Sequence, residues 1–118
     1  MNKPLQISSM NYNVIATEKF KKEAKRLIKK YPSLKDELAE FNNEVSANPT
    51  LGMSLGNNTF KIRISIKSKG KGKSGGARII TYVITQNLKV YLLTIYDKSE
   101  FDVVDDSLIK SIIAQLNP

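Results

Sequence analysis

The chain has 118 residues, 41% hydrophobic and 25% charged, a composition that fits one globular domain spanning residues 1–118. It contains neither Cys nor His, which excludes disulfides, thiolate nucleophiles, imidazole bases and the metal sites built from them. Its formal charge of +8 is concentrated in residues 59–98, with nine basic residues against one acid, Asp97, and such a field points to an anionic partner, nucleic acid first.

The opening segment MNKPLQISSM lacks the apolar region of a signal peptide, and no run is long enough to span a bilayer. A cytoplasmic location without membrane contact is the expectation. Asn13 to Thr17 is a short β-prone run. Thr17 and Glu18 then read as an N-cap and a first-turn acid. Phe20, Ala24, Leu27, Ile28 and Tyr31 lie on one face of a helix, with lysines covering the rest as a solvated basic surface. Pro32 stops that helix, and Ser33 with Asp36 opens the next, whose apolar face is Leu34, Leu38, Phe41 and Val45. So short a connection predicts an antiparallel helical hairpin that needs a sheet to pack on.

Thr50 to Thr59 reads as a loop. From Phe60 the period becomes two: Phe60, Ile62, Ile64 and Ile66 face one way, and Lys61, Arg63, Ser65 and Lys67 the other. Ala77 to Thr85 reads as a central strand, apolar on both faces, and Lys89 to Asp97 as a third strand after a turn at Gln86-Asn87. Asp105 and Asp106 open a final helix with Leu108, Ile109, Ile112, Ile113 and Leu116 as its apolar face. The predicted class is α+β, in the order β-α-α-β-β-β-α. It is a small antiparallel sheet with the helical hairpin on one face and Lys61 and Arg63 on the other.

Between the first two strands of this meander lies KSKGKGKSGGAR, Lys67 to Arg78. It is not a phosphate-binding P-loop, because the first glycine of that pattern is missing and a strand follows where a helix N-terminus is required. Two readings stay open: a solvated Gly/Lys-rich hairpin tip, or a loop that gathers cations at one edge of a sheet.

FKIRI (Phe60 to Ile64), GKGKSGGARIITYV (Gly70 to Val83) and VYLLTIYDKSE (Val90 to Glu100), preceded by the helix TEKFKKEAKRLIKKYPSL (Thr17 to Leu34), resemble the RelE/HigB-like toxins of bacterial type II toxin–antitoxin systems. The most distinctive part is K-x-G-G-x-R before an apolar strand, followed by Y-x-K-x-E after the next. The resemblance implies an endoribonuclease that cuts translated mRNA on the ribosome. It also implies a cognate antitoxin, with a helix-turn-helix region through which alone operator DNA would be engaged. No cofactor or metal is expected. Attack of a ribose 2′-hydroxyl on the adjacent phosphate needs a base, cations for the developing charge and a proton donor. Without His, a Lys crowded by other cations can serve as base. The resemblance implies that Lys61 and Arg63 are site cations, that Arg78 stabilises phosphate charge, and that Lys98 and Glu100 transfer protons or orient substrate. Lys67, Lys69, Lys71 and Lys73 would hold the RNA backbone, and Tyr96 or Phe101 would stack on a base.

The same residues fit other readings. Arg78 and Lys98 can form a structural ion-pair cluster with Glu100, and Lys61 and Arg63 can be a solvated strand face. Strict alternation puts Arg78 on the side of Ile80 and Tyr82, which requires a frayed strand start or a bulge. Two further functions remain: a ParE-like toxin that inhibits DNA gyrase without cutting nucleic acid, and a basic RNA-binding protein without catalysis.

Overall fold

Both amphipathic stripes of the first third form helices, as their spacing predicts. A computed structural model describes residues 11–70, 75–100 and 104–116 of the chain. Helix α1 (Glu18–Lys30) is capped by Thr17, whose hydroxyl accepts from the Phe20 N–H at 3.1 Å. Helix α2 (Leu34–Ala47) follows directly. Phe20, Ala24 and Leu27 of the first and Leu34, Phe41 and Val45 of the second are buried together. At roughly 1.5–3 kcal/mol for each large apolar side chain, this burial holds the hairpin to the sheet.

The sheet has five strands in the order β1-β5-β4-β3-β2: β1 (Asn13–Ala16), β2 (Met53–Gly56), β3 (Thr59–Ile64), β4 (Ala77–Ile84) and β5 (Lys89–Asp97). It differs from the expected antiparallel meander in two respects. First, β1 pairs with β5 in parallel, Asn13 opposite Lys89 and Ala16 opposite Leu92, so the sheet is mixed. Nothing local to NVIA dictates a direction. The start of α1 does, because the Thr17 hydroxyl donates to the Leu93 carbonyl at 3.0 Å. Second, the segment read as a loop holds β2, joined to β3 through Asn57 and Asn58, both in the left-handed region (φ 52° and 61°). Two such residues between strands make the tight turn whose twist suits a hairpin, a conformation that Asn tolerates better than other non-Gly residues.

Each face of the sheet carries its own cluster. Ile62, Ala77, Ile79, Val83, Val90, Leu92 and Ile95 pack under the helical hairpin. Ile80, Tyr91, Leu93 and Tyr96 pack on the opposite face with Ile109 and Ile112 of α3 (Asp106–Ala114). Strand β5 passes between the two clusters, and its register against β4 shifts between Ile80 and Thr81. The shift brings the Ile95 N–H to Glu23 of α1, whose carboxylate accepts it at 3.2 Å and the Thr94 hydroxyl at 2.7 Å. Such an irregularity disturbs the ladder locally, and here a helix side chain supplies an acceptor. Among the described residues, no helix is long and apolar enough to cross a membrane.

Candidate nucleic-acid interface

On the face opposite the hairpin, the register aligns Arg63 of β3, Arg78 of β4 and Tyr96 of β5 as direct cross-strand neighbours. Two arginines side by side are unfavourable to a sheet on charge grounds, so folding alone does not call for them. Lys61 lies two residues earlier on β3, opposite Ile80. Arg63 is exposed and Lys61 half-buried. Both also line a groove of about 410 Å³ along the outer edge of β3, whose far wall is Glu37, Glu40 and Glu44 of α2.

Arg78 departs from the expectation of a frayed strand start. It is the second residue of β4, paired on both sides, and only 3% exposed. The register shift lies beyond it, so alternation along β4 still sets Arg78 on the side of Ile80. Its Nη1 donates to the Ala77 carbonyl at 3.2 Å. The second glycine of the motif explains how tightly the strand begins. A Cβ on Gly76 would lie 2.0 Å from the Ile64 carbonyl oxygen, so only glycine lets β4 start this close to β3. Lys98 follows β5, half-buried, with its N–H donating to the Gly76 carbonyl at 3.0 Å.

Three expected site residues are engaged elsewhere. The Glu100 carboxylate accepts both terminal nitrogens of Arg26 on α1, at 2.8 and 3.2 Å. That fork holds Glu100 below its ordinary pKa and raises Arg26 above its own. Glu100 is thus held by Arg26, a residue the sequence did not single out. Tyr96 is 4% exposed and packed in the second cluster, so its ring is not presented for stacking.

Lys69 is the third. Its ammonium pairs with Asp97, donates to the Gly75 carbonyl at 2.6 Å and lies 3.4 Å from the Ser99 hydroxyl. Asp97 is fully buried and also accepts from the Tyr31 hydroxyl at 2.7 Å and from the Ser99 N–H and hydroxyl at 2.9 and 2.8 Å. Burial alone would push the Asp97 carboxyl up, but the bonds from Lys69, Tyr31 and Ser99 outweigh it and hold the group far below the usual carboxylate range. The signal was present in the sequence: a lone acid closing an apolar strand must find partners.

Lys67 is exposed, while its N–H donates to the buried Glu37 carboxylate at 2.7 Å. Ser33, at the turn between the helices, accepts from the Ser68 N–H at 2.9 Å. The short helical turn Lys67–Lys69 is therefore bound to the hairpin, and Gly70 ends it in the left-handed region (φ 75°). Lys71, Lys73 and Phe101 lie outside the described residues.

No family model matches the chain. Among solved structures, the free E. coli toxin RelE, as a mutant with two arginines replaced by alanine, aligns at a TM-score of 0.59, covering 91% of this chain and 99% of that one. The fold is that of the RelE toxins. Sequence identity to that RelE structure is 14%. The intact E. coli RelBE toxin–antitoxin complex aligns at 0.57 with 19% identity, covering 73% of this chain and 95% of that one. The RelBE2 complex of Mycobacterium tuberculosis aligns at 0.55 with 17% identity over 74% and 91%. The RelE-like fold thus extends over most of this chain, at sequence identities of 14%, 19% and 17% to these three structures.

Proposed function

We propose that this chain is the toxin of a type II toxin–antitoxin pair and a metal-independent endoribonuclease acting on ribosome-bound mRNA. The observation that carries the reading is the row of Arg63 and Arg78 on adjacent central strands of a RelE-like sheet, with Lys61 beside it and Lys98 at its end. In this scheme Arg63 and Lys61, reachable from solvent, meet the RNA phosphates. Arg78 acts from beneath them, its guanidinium always charged and its field little screened because the residue is buried. A basic residue takes the proton of a 2′-hydroxyl whose oxygen bonds to the adjacent phosphorus, and the cations stabilise the charge that develops on the phosphate oxygens. The P–O5′ bond breaks as a second, protonated residue gives a proton to the leaving 5′-oxygen. Lys61 or Lys98 serves for proton transfer, since Glu100 is held by Arg26. The partner is a cognate antitoxin, in line with the two neighbours that are toxin–antitoxin complexes, and the setting is the cytoplasm.

A second reading is favoured by one observation. Arg78, Tyr96 and Glu100, all expected at the chemistry, are buried or paired. That suits a toxin of the same fold that binds its target without cutting RNA, gyrase being the alternative target. Cell-free translation with mapping of mRNA 5′ ends by primer extension separates the two. New ends within codons, absent with Arg78→Ala, support the nuclease. Intact mRNA together with blocked gyrase supercoiling overturns it.

A further inference from the structure

Lys69 belongs by sequence to the basic run, yet its environment assigns it a different task. An ammonium has three N–H donors. Here they meet Asp97, the Gly75 carbonyl and the Ser99 hydroxyl, and the side chain is 10% exposed. No donor remains for a phosphate. Three segments distant in the chain converge on this one nitrogen: the turn after β3 through Lys69 itself, the approach to β4 through Gly75, and the end of β5 through Asp97 and Ser99. Tyr31 adds α1, with its hydroxyl on Asp97 and its ring centroid 5.5 Å from the Lys69 nitrogen.

What these segments lead to is the cationic row. Gly75 is three residues before Arg78, and Asp97 immediately precedes Lys98. Ala77 and Asp97 are register partners, and the Lys98 N–H closes on Gly76. We propose that Lys69 and Asp97 are positioning residues. Acting from the helical side of the sheet, they fix the start of β4 and the end of β5 against each other, and so set Arg78 and Lys98 relative to the substrate. The consequence for catalysis rests on the nuclease reading above; the positioning itself does not.

Replacing one partner alone would leave a buried lone charge, so the test uses Lys69→Met/Asp97→Asn, which removes both charges, and Lys69→Arg, which keeps one donor set. Hydrogen exchange is followed at the Lys98 amide, with the Val83 amide, bonded to the Asn58 carbonyl at the far end of β4, as reference. In the double variant the Lys98 amide should exchange at least roughly tenfold faster while Val83 is unchanged, and Lys69→Arg should restore it. Unchanged Lys98 protection, or equal loss at both sites, would overturn the proposal. In the translation assay the double variant should cut about 10- to 100-fold more slowly at saturating mRNA, the cost expected of a small misplacement, with affinity nearly unaltered. Weakened affinity together with a log–log salt dependence shallower by about 0.7 would instead make Lys69 an RNA contact and overturn the assignment. A wild-type protein that cuts nothing would sink the nuclease reading, while the exchange measurement still decides the positioning.

Discussion

Asp97 is the sole acid between residues 59 and 98, fully buried and held by Lys69, Tyr31 and Ser99. Its pKa is depressed in the folded state, so the unfolded chain binds the extra proton as pH falls. The stability it contributes is therefore fully present above the ordinary carboxylate value of about 4 and is lost progressively below it. Wild-type thermal midpoints should fall steeply from pH 5 to pH 2, and Asp97→Asn should flatten that fall while lowering stability at pH 7 by about 3–5 kcal/mol, because Lys69 is left buried and unpaired. Midpoints measured across that range check both. The two arginines of the row should also separate. Arg63→Ala removes an exposed cation and should weaken RNA binding with little loss of stability, whereas Arg78→Ala alters a buried guanidinium and should affect cutting rate and stability together. Parallel binding, turnover and urea-unfolding measurements distinguish the two patterns.

At the scale of elements, the strands and helices that bury a regular stripe were legible from the sequence. Phe20, Ala24 and Leu27 declared α1, the alternation from Phe60 declared β3, and Lys89 to Asp97 declared β5 to the residue. What escaped was set by partners rather than by period. Met53 to Gly56 is only four residues long and exposed throughout, so the two apolar residues Met53 and Leu55 were too short a pattern to mark β2; a further trace was the Asn57-Asn58 turn. The candidate site was legible in part for the same reason. Residue type and alternation put Lys61 and Arg63 on one face but left Arg78 needing a frayed strand start or a bulge to join them, and neither can show that Glu100 reaches Arg26 or that Lys69 turns inward to Asp97. Those choices are made by segments far apart in sequence. Gly76 illustrates the point at the join of two elements. Gly76→Ala must displace the Ile64 carbonyl and should cost about 1–3 kcal/mol, read as a lower urea midpoint at unchanged m-value.

For the whole molecule, the charge distribution matters more than its total. The helical layer and the sheet face are both basic, but α2 lines the β3 groove with three carboxylates, so the two walls of that groove differ in sign. A polyanion is steered to the Lys61 and Arg63 side and away from the α2 wall. If Lys61, Arg63 and Lys67 each neutralise one phosphate, single-stranded RNA affinity should fall with salt at a log–log slope of roughly −2. Filter binding between low and physiological ionic strength measures this, and reversing Lys61 and Arg63 to Glu should nearly abolish the slope.

The parallel pairing of β1 with β5 carries a consequence for the timing of synthesis. Asn13 cannot meet Lys89 until 76 further residues have been made, and the hairpin of α1 and α2, finished by Ala47, has no complete sheet to cover until β5 exists. At about 5–20 residues per second, the nascent helices wait roughly 2.5–10 s before their apolar stripes can be fully covered. Throughout that interval Lys69 has no Asp97 to grip and Arg63 and Arg78 have no Tyr96 beside them, so the cationic row is assembled only after the fifth strand has cleared the ribosome.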